Sequence, residues 1–197
     1  MNSTTPLSGD SRFLRSRQRE LDYVEEELRH DMAAMMEPVL EKIRSTILAI
    51  ARKHRIQVLV IVLYGSRARG DYSFGSDYDI FVLIGNKTTL LQFVQFSSEF
   101  RMSSYRLGPV KLYACPKKDF VKMMNSNPFL GAFCFIIASE GKAIYERSME
   151  FRKLKDYVRK LPRRKRTLLL NRCKVMSERL GSPKWVEYWK SKLAEES

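Results

Sequence analysis

The sequence predicts a mixed α/β (α+β) core with helical segments at both ends. Three observations predict it. Short runs dense in β-branched and aliphatic residues, Gln57–Tyr64, Ile80–Ile84 and Val110–Cys115, read as buried strands. Around and between them, apolar residues recur at three- and four-residue steps, as a helix requires. Finally, 197 residues, 44% of them hydrophobic and 29% charged, suffice to bury a core and exclude wholesale disorder.

Residues 1–10 are rich in Ser, Thr, Pro and Gly and predict an unstructured tail. Residues 11–55 predict an N-terminal helical segment, from the spacing of Leu21, Val24 and Leu28 and of Val39, Ile43 and Ile47; Pro38 is expected to break or kink it. Met32, Met35 and Met36 serve either as core filler or as a contact surface for another helix. Residues 56–146 form the core. Its helices are expected at Leu90–Phe100, Lys118–Met124 and Pro128–Ala138, and Gly141 turns the chain into a short strand, Lys142–Tyr145. Residues 147–197 form a basic helical extension, with helices at Phe151–Arg159 and Arg166–Leu180 and a last one after Gly181–Pro183. No internal repeat is visible.

Charge narrows the partners. The net charge is +14, and Arg147–Ser197 carries sixteen basic against six acidic residues, hence +10 of it. The densest run ends in Arg163, Arg164, Lys165 and Arg166. Such a block is either a solvated, self-repelling face or a landing surface for a polyanion, with nucleic acid or an acidic protein satisfying the same physics. Trp185, Tyr188 and Trp189 follow it and would either stack on bases or pack as helix core. No apolar run approaches the ~20 residues that cross a bilayer, so no membrane partner is expected. The N-terminus lacks the apolar stretch of a secretory signal, and Cys115, Cys134 and Cys173 are odd in number and widely spaced; both point to a cytoplasmic protein without a disulfide framework. His30 and His54, the only histidines, do not suggest a zinc site.

The chemistry concentrates in Val62–Ile84. A buried strand ends at Tyr64; Gly65 and Ser66 follow, then ten residues, then Asp77, Tyr78 and Asp79 leading into the next strand. Gly65 permits a sharp turn and close approach of the backbone to a ligand. Ser66 opens a helical turn whose N–H groups and hydroxyl suit phosphate oxygens. Asp77 and Asp79 alternate along a strand and so share a face. Two carboxylates so placed repel unless a cation stands between them, and oxygen-only ligands suit Mg²⁺ or Mn²⁺. The plain alternative is that Asp77 caps a turn and Asp79 pairs with Arg67 or Arg69. Those arginines either contact phosphate or form salt bridges with Asp71 or the acid pair. Tyr64, Tyr72 and Phe74 read as packing groups, and Cys115 and Cys134 as core.

The ordered set Gly65, Ser66, ten residues, Asp77, Tyr78, Asp79 resembles the G-S-x10-D-x-D signature of the DNA polymerase β-like nucleotidyltransferase superfamily. It is most similar to the minimal nucleotidyltransferases, whose G-S-x-A-R-G loop matches Arg67-Ala68-Arg69-Gly70. Asn127–Glu146 resembles the end of such domains. The resemblance implies a short mixed sheet flanked by helices, with a nucleoside triphosphate such as ATP on the Gly65–Ser66 turn. It also implies Mg²⁺ or Mn²⁺ on Asp77 and Asp79 as catalytic acids, and transfer of a nucleoside monophosphate with loss of pyrophosphate. Arg67 and Arg69 then become candidate nucleotide contacts. One position departs from the pattern: the third carboxylate that resembling enzymes carry in a V-D-L-V-like strand is matched here by Lys111, in GPVKLYAC.

Two functions follow as expectations. One is a metal-dependent nucleotidyltransferase acting on a nucleic-acid or protein acceptor. The other is a catalytically impaired protein of the same fold that binds nucleic acid or a helical protein partner, as antitoxin-like members do with HEPN proteins. In either, Lys111, Arg163, Arg164, Lys165 and Arg166 are candidate nucleic-acid contacts. A small-molecule modifier of the aminoglycoside-adenylylating kind gives no reason for the +14 charge. A dimer is compatible with either.

Overall fold

In a computed structural model, residues 17–18, 36–73 and 75–196 are described. The chain divides into two units, Met1–Leu40 and Glu41–Ser197, and the second carries the sheet and the candidate site. The expected tail and most of the first helical stretch lie outside the described residues. So do Met32, Met35 and Phe74, as does the chain upstream of residue 36 that Pro38 was expected to set apart. Pro38 itself lies inside a helix, α1, over residues 36–53.

Strands β1 (Val58–Tyr64), β2 (Tyr78–Ile84), β3 (Val110–Pro116) and β4 (Lys142–Glu146) form one mixed sheet in the order β3-β2-β1-β4. β1 runs antiparallel to β2 and to β4, while β2 and β3 are parallel. The two central strands are buried on both faces, which explains why they read as unbroken apolar runs.

Between strands lie α2 (Gly65–Arg69), α3 (Leu90–Ser104), α4 (Lys117–Ser126) and α5 (Pro128–Glu140), followed by α6 (Glu150–Arg159), α7 (Arg163–Arg179) and α8 (Pro183–Glu195). Thr89 and Gln92 close α3 with a capping box. Asn127 starts α5 by accepting from the Phe129 and Leu130 amides at 3.0 and 2.9 Å. One face of the sheet, with Val60, Val62, Tyr64, Phe81 and Leu83, packs into a continuous core with α4 to α8. Ile61, Leu63, Ile80, Val82 and Ile84 on the other face are equally buried, as are Ile43 and Ile47 of α1 and Phe96 and Phe100 of α3. Glu99 ties α3 to the end of α1 by accepting from Lys53 and bonding His54 at 2.8 Å, which gives His54 a structural role. Among the described residues no helix is long and apolar enough to cross a membrane.

Candidate nucleotide site

Strand pairing brings the motif together. β1 and β2 are antiparallel with Tyr64 opposite Asp79, so the residue after Tyr64 meets the acid across the ladder. Gly65 takes φ +73°, and a Cβ there would lie 2.4 Å from Asp79 Oδ2. Only glycine lets the turn close on this carboxylate. Gly65 opens a five-residue helix, ended by Gly70 in the left-handed region with its N–H bonded to the Ser66 carbonyl. The Ser66 hydroxyl makes no hydrogen bond to the described residues.

The third strand completes the site. β2 and β3 run parallel with Asp79 opposite Lys111, which puts the lysine beside the acid pair. Its Nζ stands 2.5 Å from Asp77 Oδ2; the lysine side chain is 69% exposed and that of Asp77 34%. Burial is the main cause that holds the Asp79 carboxyl above its ordinary range; the Asp77 charge adds to this, while Lys111 and Arg69 oppose it. The hydrogen bond from Lys111 to Asp77 holds the ammonium above its ordinary value, against some desolvation. Burial, with the Asp79 charge second, likewise raises the Tyr64 phenol. One step along the same pleat, Phe81 and Tyr113 stack with centroids 6.0 Å apart.

The two arginines of the turn face inward. Arg67 donates to the Ser76 carbonyl from Nε and Nη2 at 3.1 and 2.8 Å and lies over the rings of Tyr78 (3.9 Å) and Tyr72 (4.8 Å). It thereby braces the segment that delivers Asp77. Arg69, with a side chain 7% exposed, donates to Glu140 Oε2 at 2.9 Å and faces Asp71 at 3.3 Å. Trp185 and Tyr188 close over it at 4.8 and 5.3 Å, and Trp189 is core. Arg67 is braced from within its own loop, whereas the burial of Arg69 beneath α8 depends on residues distant in sequence, and no local pattern announced it.

The basic block begins α7 rather than preceding it. Four cations occupy its first turn, with no acid there and no side-chain cap. Arg163 Nε bonds the Glu196 carbonyl at 2.5 Å; Arg166 grips the Glu196 carboxylate at 2.9 and 2.8 Å and the Leu161 carbonyl at 2.8 Å. Lys165 bonds Asn125 Oδ1. Arg163 and Arg164 remain exposed. All three cysteines are buried, and burial pushes the Cys134 thiol up to about 12.

A metal can be tested against these residues. Among the described residues no group of three His, Cys, Asp or Glu side chains could hold an ion. Asp77 and Asp79 are the acids at hand, and the ammonium of Lys111 stands where a third carboxylate would complete the set. The residues present therefore do not fit the three-carboxylate arrangement that the resemblance implies.

A search of curated proteins gives no match. A solved structure of a toxin–antitoxin with AMP-PNP is 15% identical with a TM-score of 0.42, covering 69% of this chain and 97% of that one. The toxin–antitoxin MntA-HepT gives 14% and 0.41, covering 71% and 98%. The model of the family described as Polymerase beta, Nucleotidyltransferase matches residues 45–150, more than half of the sequence. The chain thus belongs to the polymerase beta nucleotidyltransferase family.

Proposed function

We propose that this chain is a nucleotidyltransferase-fold binding module. It takes a nucleoside triphosphate on the Gly65–Ser66 turn beside Asp77 and Asp79, transfers nucleoside monophosphate poorly or not at all, and docks nucleic acid on its C-terminal helices. The observation that carries this reading is Lys111, opposite Asp79 and ion-paired with Asp77. Transfer requires a group that accepts the proton of the attacking hydroxyl. An ammonium has three donors and no acceptor, and Asp77 holds this one protonated. It can contact a phosphate as a point charge, but it cannot act as base.

The nucleic-acid arm rests on the +10 charge of Arg147–Ser197 and on the first turn of α7. Cations at the positive end of a helix are unfavourable by themselves; Glu196 already bonds Arg163 and Arg166, and a polyanion would relieve the exposed Arg164. Full-length protein mixed with a labelled oligonucleotide should bind it with an affinity that falls about 100-fold between roughly 50 and 200 mM salt, as about four phosphate contacts require. Charge reversal at Arg163 and Arg164 should weaken binding to all sequences alike.

A second reading, an active transferase with a nucleic-acid or protein acceptor, is favoured by the close packing of Asp79 on Gly65, which keeps the turn and the acid pair together. Incubation with labelled nucleotides and Mg²⁺ or Mn²⁺ separates the two. Label transferred to nucleic acid or protein, and lost in Asp77→Ala with Asp79→Ala, would replace the binding-module reading with this one.

A further inference from the structure

Asp77 immediately precedes β2 and Asp79 lies on it, close enough that their charges act on one another, and two such carboxylates need a positive partner to remain ionised side by side. In this chain the partner is a side chain of the protein itself. Parallel pairing fixes Lys111 opposite Asp79, and its flexible stem carries Nζ across to Asp77 Oδ2 at 2.5 Å. A divalent cation approaching Asp77 meets an ammonium already bonded to that oxygen. Asp77 uses one of three N–H donors, so the ammonium retains donors for phosphate oxygens. Its side chain is mostly exposed, so those donors face solvent and not the core.

We infer that Lys111 is a tethered counter-cation standing in place of a divalent metal, so that the site takes the polyphosphate of a nucleotide without Mg²⁺. This rests on the reading of Gly65, Ser66 and the acid pair as a nucleotide site. Its ligand class is a nucleoside triphosphate in its metal-free form. The inference is electrostatic and positional: one residue sets whether the acid pair is available to a metal.

Two titrations on the full-length chain test it. The first uses Mn²⁺ alone, read by its electron paramagnetic resonance signal. Wild-type protein should take up Mn²⁺ weakly. Lys111→Asp, which adds a carboxylate opposite Asp79, should bind it at least about tenfold more tightly, since affinity for hard cations follows the count of charged oxygen ligands. Lys111→Met, which removes the ammonium and adds no acid, should fall between, and it decides the matter if the aspartate variant does not fold. Wild-type affinity equal to that of both variants would overturn the inference. The second titration uses a fluorescent ATP analogue, with GTP, CTP and UTP as competitors, in EDTA and then in Mg²⁺. Equal affinity in the two buffers supports the inference, and binding only with Mg²⁺ overturns it. Absence of nucleotide binding in both buffers would sink the nucleotide-site reading itself, while the Mn²⁺ series would still decide whether Lys111 excludes a metal.

Discussion

The short turn Gly65–Arg69 joins two charge clusters of opposite character. At its start, Asp77, Asp79 and Lys111 sit at the open end of the sheet, held by a lysine that solvent reaches. At its end, Arg69 and Glu140 are sealed beneath Trp185 and Tyr188, with side chains 7% and 5% exposed. The Lys111–Asp77 pair of the open cluster can exchange partners at little cost because water screens it. The closed one cannot, since each ion depends on the other. Chemistry and stability are thus assigned to different ends of one loop, and the charge of a residue does not reveal which end it serves.

The sharpest way to break this contrast is Glu140→Ala. It leaves the Arg69 guanidinium, whose Nε and Nη2 already lack hydrogen-bond partners, with only the looser Asp71 contact at 3.3 Å, and should cost about 3 kcal/mol in chemical denaturation. Arg69→Met with Glu140→Met, which removes both charges, should recover most of that loss; failure to recover would mean that the pair is not electrically self-contained. Next comes Gly65→Ala, where a left-handed backbone and the Asp79 carboxylate both oppose a methyl group. It should cost about 2 kcal/mol, a melting shift of roughly 4–8 °C, and remove nucleotide binding. At the open cluster, Asp77→Asn should change stability by less than about 1 kcal/mol while altering nucleotide affinity, because an exposed ion pair contributes little.

The smallest effect is a slope. Burial, opposed by Arg69, holds the Glu140 carboxyl above its ordinary value, so the folded state binds this proton more tightly than the unfolded chain does. Its contribution is therefore greatest below the ordinary carboxylate range and is lost as pH rises through the raised value. Glu140→Gln should flatten the melting temperature over that interval.

Most of the core was legible because its signals are local. Runs such as Val58–Tyr64 carry β-branched residues that fit only a strand buried on both faces, and the Gly-Ser turn and acid pair lie on a single hairpin. The resemblance matches Lys111 to the third carboxylate of the family's later strand, and strand pairing sets this residue opposite Asp79. What remained hidden depends on distance along the chain. Glu140 lies 71 residues from Arg69, and nothing near the turn predicts that this guanidinium is buried. Arg67 has the look of a phosphate contact but is satisfied by the Ser76 carbonyl. The basic block was expected just before a helix beginning at Arg166, yet α7 starts at Arg163: propensity marks a helix boundary only loosely, and Pro162 before it permits the earlier start.

Parallel pairing has a consequence for how such a site can change. The pleat that stacks Tyr113 on Phe81 also dictates which β3 residue faces the acids, because alternate residues share a side of the sheet. A one-residue slip would evert the aromatic ring, so packing guards the alignment. Position 111 is an address kept by the interior but tenanted at the rim, where a single exchange can invert the sign of the local field while the scaffold stays as it is.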